Sequence, residues 1–137
     1  MIYKKIEIYS DGGARGNPGP AGLGVVIWQG HQLVGRFKKY IGEATNNQAE
    51  YQAILFGLQK ARELGASEAS CFLDSELVVK QLNMDFKIKN KDLGPWFIKI
   101  WNLRQEFKKV VFAYIPREEN READKLVNQA IDEKKLI

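Results

Sequence analysis

The order of predicted elements favours an α/β fold built on a mixed five-stranded sheet. Three strand-like segments come first with no helix between them, and each of the two later strands follows a helical segment. Strands joined by tight turns run antiparallel, whereas strands joined through helices run parallel. We therefore expect three antiparallel strands followed by two parallel ones. Ligands of such sheets gather at the carboxyl ends of strands, so polar residues there are candidates for function.

The composition is that of one globular domain, which we place at residues 1–137. Hydrophobic residues make up 45% of the 137, enough for a single core. There is no long apolar run, so we expect neither a signal peptide nor a membrane span. The single cysteine, Cys71, excludes an internal disulfide and favours the reducing cytoplasm. Lys and Arg outnumber Asp and Glu by 21 to 17, which is compatible with a nucleic acid partner without establishing one. No obligate protein partner is indicated.

The first strand brings a carboxylate to its end. Residues Ile6–Ser10 alternate, and Asp11 follows them directly before a segment rich in glycine and proline. A carboxylate at the end of a strand can bind a metal ion. Asp11 and Gly12 are also ordinary turn residues, so a simple turn is the alternative.

The next two strands form a predicted hairpin. Leu23–Trp28 and Leu33–Tyr40 have strand patterns and are separated by the short segment 29–32. The only histidine, His31, lies in that turn. A solvated turn residue is the simpler interpretation of His31, because loops lie on the surface.

The first helix carries a second candidate carboxylate. Thr45 and Gln48 have the spacing of a capping box, which predicts a helix over Ala49–Leu64 that Gly65 ends. Glu50 lies on the same helical stripe as the apolar or small residues at 54, 57, 58 and 61, so it faces the core. A carboxylate in that position needs a partner, although a first-turn glutamate can also serve the helix dipole.

A third carboxylate follows the fourth strand. Ser70–Leu73 is a short apolar run that ends at Asp74, and a helix is predicted over Glu76–Asn83. Asp74 repeats the strand-end position of Asp11. It could also simply cap the following helix.

The helix predicted over Leu93–Phe107 is rich in aromatic residues. We interpret its apolar positions mainly as core rather than as base-stacking platforms. These positions are Trp96, Phe97, Ile100, Trp101 and Leu103. Lysines 87, 89 and 91 precede the helix, either as phosphate contacts or as a solvated loop.

The last strand and helix supply a fourth carboxylate. Val110–Ile115 is a strand that Pro116 stops, and a charged loop leads into the final helix. In its first turn, Asp124 shares a face with Val127 and Ile131.

Four carboxylates that converge need positive charge to hold them together. Two unit charges 4 Å apart repel by roughly 4 kcal/mol at an effective dielectric constant near 20. Oxygen ligands without histidine or cysteine select Mg²⁺ or Mn²⁺, and a pair of such ions suits in-line displacement at phosphate. The residues therefore point to phosphodiester cleavage.

The chain resembles the type 1 ribonuclease H family in four sequence blocks, in the family's order. The blocks are Tyr9-Ser10-Asp11-Gly12-Gly13 with residues 17–22, Thr45-Asn46-Asn47-Gln48-Ala49-Glu50, Asp74-Ser75, and Asn120-Arg121-Glu122-Ala123-Asp124. The resemblance implies a ribonuclease H-like fold with helices on both faces of the sheet. It also implies an endonuclease that hydrolyses the RNA strand of RNA/DNA hybrids to 5′-phosphate and 3′-hydroxyl ends.

The resemblance further implies roles for individual residues. Asp11, Glu50, Asp74 and Asp124 would be the catalytic, metal-binding carboxylates, with Asp11 bridging two Mg²⁺ ions and Mn²⁺ as a substitute. The implied substrate-binding residues are Gly12, Asn17, Thr45, Asn46, Asn47 and Asn90. By position, the three asparagines at 17, 46 and 47 match residues that bind RNA 2′-hydroxyls or bases, while Thr45 and Asn90 match a DNA phosphate pocket.

Three departures from the family pattern bear on the substrate. The segment between Asp74 and Val110 leaves little room for an extra helix, so we expect a form without the basic handle of some members. Glu43 stands where some relatives have a phosphate-pocket arginine. The loop after Ile115 lacks the family's frequent histidine and has Arg117 and Glu118 instead. The alternatives are a catalytically inactive binding module and a nuclease of the same fold that acts on double-stranded RNA or a DNA junction.

Overall fold

A computed structural model describes residues 4–84 and 93–135. Its five strands form one sheet in the order third, second, first, fourth, fifth, with four α-helices and a short 3₁₀ turn at Arg117–Glu119. The elements are β1 (Lys5–Ala14), β2 (Gly19–Gln29), β3 (Gln32–Ala44), α1 (Asn46–Glu63), β4 (Glu68–Leu73), α2 (Glu76–Leu82), α3 (Gly94–Arg104), β5 (Lys109–Tyr114) and α4 (Arg121–Lys135).

The pairing of the strands confirms the predicted mixed sheet. β1 pairs antiparallel with β2, and β2 pairs antiparallel with β3, whereas β4 lies parallel to both β1 and β5. The β2–β3 connection is a two-residue turn, and His31 in it is exposed, as predicted.

β1 is longer than its alternating pattern indicates. We predicted that the strand ends before Asp11 and that Gly12 and Gly13 belong to a loop, but β1 continues to Ala14. The extra residues are held by pairing with β2, where Gly12 lies opposite Leu23 and Gly13 opposite Gly22. The parallel ladder with β4 does stop earlier, at Tyr9 opposite Phe72. Asp11 therefore lies at the end of parallel pairing but inside the antiparallel ladder.

Helices cover both faces of the sheet, as the resemblance implies. On one face α1 packs over β1 and β2, where a Cβ at Gly57 would meet Ile8 and Val25. On the other face α4 packs so closely on β2 that a Cβ at Gly24 would lie 2.3 Å from the carbonyl oxygen of Ala123. The main core lies on the α1 side and includes side chains from α2 and α3.

The start of α1 has the predicted capping box. The Thr45 side chain accepts a hydrogen bond from the Gln48 backbone, and the Gln48 side chain accepts one from the Thr45 backbone. The helix begins at Asn46, three residues before the predicted start, because the cap residue directly precedes it. The predicted inward stripe is buried at Ile54, Gly57, Leu58 and Ala61. Glu50 therefore lies on the face that packs against the sheet.

The structure excludes one alternative for α2 and corrects two predictions about α3. α2 is capped by Ser75, whose hydroxyl accepts from the Val78 backbone, and not by Asp74. α3 ends at Arg104 rather than at Phe107, and Trp101 is 38% exposed instead of lying in the core. The Trp101 ring stacks beside Phe97 and under the Arg104 guanidinium, so it is packed without being enclosed.

The predictions for Asn90 and for lysines 87, 89 and 91 fall outside the described residues. Within residues 4–84 and 93–135, none of the helices has both the length and the apolar character that crossing a lipid bilayer requires.

Candidate active site

Three carboxylates from distant parts of the chain meet at one end of the sheet. Asp11 comes from β1, Glu50 from the first turns of α1, and Asp74 directly follows β4. One oxygen of each lies within 4.8 Å of the other two. The donor set is composed of oxygen alone, which fits a hard divalent cation such as Mg²⁺ or Mn²⁺.

The fourth predicted carboxylate, Asp124, lies beside this cluster. It borders the same cavity as the other three, and its side chain hydrogen-bonds Asp11. On its other side, a guanidinium nitrogen of Arg117 lies 3.9 Å from a carboxylate oxygen of Asp124. The structure thus brings together all four carboxylates that the sequence singled out, three in a tight group and Asp124 next to Asp11.

Burial and repulsion between carboxylates make Asp11 and Glu50 hard to ionise. Burial, followed by repulsion from Asp74, Asp124 and Glu50, raises the pKa of Asp11 to about 8. Burial and repulsion from Asp74 raise the pKa of Glu50 to about 7, although a hydrogen bond with the Ser75 side chain opposes the shift. A bound cation reverses this effect because it favours the charged form of its ligands.

Two neighbouring polar residues support the cluster, and neither was among the predicted site residues. Ser75 caps α2 and hydrogen-bonds Glu50. Asn120 is 2% exposed, and its Nδ2 donates to a carboxylate oxygen of Asp74 at 3.0 Å. Both residues belong to the sequence blocks on which the resemblance rests. Their place in those blocks was the only sign in the sequence that they belong to the site. Their contacts join segments too distant in sequence for any pattern to show them.

The β1–β2 connection and the start of α1 hold each other through asparagine side chains. The Asn17 side-chain oxygen accepts from the Asn46 backbone at 3.0 Å, and the Asn46 side-chain oxygen accepts from the Ala14 backbone at 2.8 Å. Thr45 is engaged in the capping box, and Asn47 is half-buried in the first turn of α1. The predicted substrate-binding residues Asn17, Thr45, Asn46 and Asn47 are therefore neighbours, and Asn46 lines the carboxylate cavity.

Gly12 lines the same cavity and is buried. A Cβ at this position would lie 2.2 Å from the backbone of Ala49, which directly precedes Glu50. The absence of a side chain thus lets α1 approach β1 closely enough for Glu50 to reach Asp11.

Two cationic side chains border the carboxylate cavity within residues 4–84 and 93–135. Arg15 is anchored to α4 by hydrogen bonds to Asp132 and Asn128, and Arg117 is 80% exposed in its side chain. Glu118, the other residue in the place of the missing histidine, lines a neighbouring cavity with Trp28 instead. His31 is not one of the described residues that line the carboxylate cavity.

Comparison with known proteins gives a consistent result. Residues 9–130 match the family described as "Reverse transcriptase-like". A bifunctional protein of Mycobacterium tuberculosis is 42% identical over 130 residues, covering 93% of this chain and 36% of its own length. The chain thus spans about a third of that relative.

Two solved structures match over nearly their full length. RNase H1 from the halophilic archaeon Halobacterium salinarum superposes with a TM-score of 0.91 at 37% identity, covering 94% of this chain and 98% of the other. LC11-RNase H1, solved in complex with an RNA/DNA hybrid, gives a TM-score of 0.90 at 44% identity, with the same coverage. The matched region contains all four carboxylates, and the chain belongs to the type 1 ribonuclease H family.

Proposed function

We propose that this chain is an endoribonuclease that hydrolyses the RNA strand of RNA/DNA hybrids by two-metal-ion catalysis, leaving 5′-phosphate and 3′-hydroxyl ends. The observation that carries the proposal is the convergence of Asp11, Glu50 and Asp74 oxygens within 4.8 Å of one another. Family membership supports the reaction type. The hybrid in the LC11-RNase H1 complex supports the substrate.

Asp11, Glu50, Asp74 and Asp124 would hold the two ions, which we assign as Mg²⁺ with Mn²⁺ as a substitute. Asp11 would be the shared ligand in this assignment, because the charges of Asp74, Asp124 and Glu50 all act on it. Such ions, when bound, lower the pKa of the attacking water and neutralise charge on the phosphate and the leaving 3′-oxygen. The protein's part is to aim the four ligands at one point, and the bound cations would favour the ionised forms of those ligands.

The asparagines beside the cavity are assigned to recognition of the RNA strand. Asn17 and Asn46 use their side-chain oxygens within the protein, so their Nδ2 groups remain available as donors to a substrate. Together with Asn47 and the backbone at Gly12, they can bind 2′-hydroxyls without reading sequence. Thr45 and Asn90 are assigned to a DNA phosphate. Recognition through hydroxyls of one strand and phosphates of the other distinguishes a hybrid from double-stranded DNA.

Arg117 is the described cation best placed to serve where the family's histidine is missing. It is exposed, borders the carboxylate cavity and lies 3.9 Å from Asp124. A guanidinium there can hold the charge of a phosphate, but it cannot accept a proton from water, because arginine stays protonated. Activation of the attacking water would therefore depend on the bound metal ions.

In this proposal residues 1–137 act as one catalytic domain in the cytoplasm, without an obligate protein partner. The buried, unpaired Cys71 suits a reducing compartment.

The test is a comparison of hybrid, double-stranded RNA and double-stranded DNA under the same conditions with Mg²⁺. We expect internal cleavage of RNA in the hybrid, 5′-phosphate ends on the products, and no cleavage of double-stranded DNA. Cleavage of double-stranded RNA is measured as a second possible activity. Asp11→Asn should abolish cleavage while hybrid binding remains, because it removes a metal ligand and leaves the surrounding contacts. A cleavage rate of Asp11→Asn within a few-fold of the wild-type rate would contradict the assignment of Asp11 as a metal ligand.

A further inference from the structure

Asn120 occupies a position that the proposed chemistry has not yet used. Its side chain is almost fully buried between the 3₁₀ turn and α4, and its Nδ2 group donates two hydrogen bonds. One goes to the carbonyl oxygen of Ser10 at 2.9 Å and the other to a carboxylate oxygen of Asp74 at 3.0 Å. We propose that Asn120 is a positioning residue that fixes the Asp74 carboxylate for metal binding, an inference that rests on the proposed function.

The bridge lies where the sheet itself stops joining the two strands. Parallel pairing between β1 and β4 ends at Tyr9 opposite Phe72, one residue before Ser10. The carboxylates of Asp11 and Asp74 are therefore carried by chain segments beyond that ladder. The Asn120 amide links Ser10, the residue before Asp11, to Asp74 itself. It thereby sets the spacing of two metal ligands that the backbone ladder leaves unlinked.

The chemistry of the amide suits this task. Its two hydrogens each have one acceptor, so both the position and the rotation of the group are determined. The amide also donates to a carboxylate in a crowded anionic cluster without adding a positive charge that would compete with a metal ion. Aspartate at position 120 would lack the donor, and serine would be too short to span both acceptors.

The orientation of Asn120 comes at the expense of a helix cap. The backbone of Asn120 accepts the first hydrogen bond of α4, from Asp124 at 3.1 Å, which makes it the N-cap residue. An asparagine at this position normally turns its side-chain oxygen to the free backbone N–H groups of the first turn. Here that oxygen is buried and has no partner among the described residues. A buried polar atom left unsatisfied calls for a reason, and the contact with Asp74 supplies one.

Asn120→Ser is the informative variant, because serine can cap α4 and so preserve the fold while losing the contact with Asp74. Loss of a contact that orients a metal ligand typically lowers metal affinity or activity 10–100-fold. We expect the Mg²⁺ concentration for half-maximal hybrid cleavage to rise at least about ten-fold. We also expect the rise in melting temperature on adding MnCl₂ without substrate to shrink. Asn120→Ala, which cannot cap, is the second variant and should show the same loss of Mn²⁺ response.

Asn83→Ala is the matched control. The Asn83 Nδ2 group also donates to a strand carbonyl, that of Phe112 at 3.2 Å, but away from the carboxylates. It should lower stability without changing the Mg²⁺ requirement.

The outcomes separate the possible roles. A Mg²⁺ requirement and Mn²⁺ response within two-fold of wild type in Asn120→Ser would overturn the inference. So would a loss of stability in both variants with an unchanged Mn²⁺ response of the folded protein, since that indicates a structural role alone. If the wild type binds Mn²⁺ but cleaves no hybrid, the proposed function fails, while a weakened Mn²⁺ response in Asn120→Ser still supports the positioning role.

Discussion

Asp11 is repelled by three neighbouring carboxylates, because Asp74, Asp124 and Glu50 all raise its pKa. Without metal this repulsion opposes folding. We expect Asp11→Asn to raise the melting temperature measured in excess chelator by about 2–4 °C, the scale of a 1 kcal/mol gain in a chain of this size. Glu63→Gln, an exposed site on α1, is the control and should change little. A lower melting temperature for Asp11→Asn would contradict the convergence of charge.

Arg117 offers a second prediction at this scale. Because its guanidinium lies beside Asp124 and borders the cavity, Arg117→Ala should slow single-turnover hybrid cleavage about ten-fold, as expected for losing a charged contact to a phosphate. His31→Ala should leave the rate within about two-fold, because His31 lies in an exposed turn. A large loss in His31→Ala together with none in Arg117→Ala would reverse this assignment.

The contact between β1 and α1 sets the reach of Glu50. Gly12→Ala would push a methyl group into the Ala49 backbone, where the ideal Cβ lies only 2.2 Å away. We expect a loss of about 1–3 kcal/mol in the free energy of unfolding, measured by urea denaturation, with a larger effect on cleavage than stability explains. Gly94→Ala at the start of α3 is the control, because a Cβ there meets nothing within 4 Å among the residues that the structure describes. Equal stability of the two variants would show that α1 can retreat from the sheet.

The sequence predicted an element well where the residues of that element alone determine it. The capping box at Thr45 placed α1, and the short segment around His31 placed the hairpin. The extension of β1 to Ala14 was missed, because Gly12 and Gly13 give no strand signal and the extension depends on pairing with β2. Trp101 was assigned to the core because its spacing fits the apolar face of a helix. Such spacing does not show how much of that face other elements cover.

The carboxylates of the site were also predictable one by one, since in the sequence each directly follows a strand-like run or lies in the first turn of a predicted helix. The role of Asn120 was not. Its position before α4 predicts a helix cap, whereas the tertiary structure turns the side chain toward Ser10 and Asp74. Contacts between segments this far apart in the chain are decided by packing and leave no periodic signal.

At the scale of the whole molecule, the raised pKa values couple folding to pH. In the native state Asp11 and Glu50, with pKa values of about 8 and about 7, keep protons that the unfolded chain releases near pH 4. Between about pH 4 and about pH 8 the native state therefore binds more protons, and its stability falls as pH rises.

In chelator, the melting temperature should be higher at about pH 5.5 than at about pH 8. Mg²⁺ should raise it more at the higher pH, where the ligands ionise more readily. Asp11→Asn should weaken the dependence on pH in chelator. A metal-free melting temperature that rises across this range would show that other groups dominate.

The proposed recognition surface spans several asparagines and so requires several 2′-hydroxyls at once. A duplex with one embedded ribonucleotide should therefore be cut far more slowly than a continuous hybrid, with a run of four ribonucleotides as the intermediate substrate. The measurement is the initial rate on all three duplexes at equal concentration. Efficient cutting at a single ribonucleotide would mean that Asn17, Asn46 and Asn47 do not act together.

The hydrogen bond between Asn120 and Ser10 joins residues 110 positions apart in the chain. During synthesis, Asp11, Glu50 and Asp74 leave the ribosome long before Asn120 and Asp124 can join them. A nascent chain that ends before α4 thus carries an incomplete set of metal ligands. Under the proposed function, cleavage is withheld until α4 has been synthesised and has packed on the sheet, so the order of synthesis itself delays the appearance of nuclease activity.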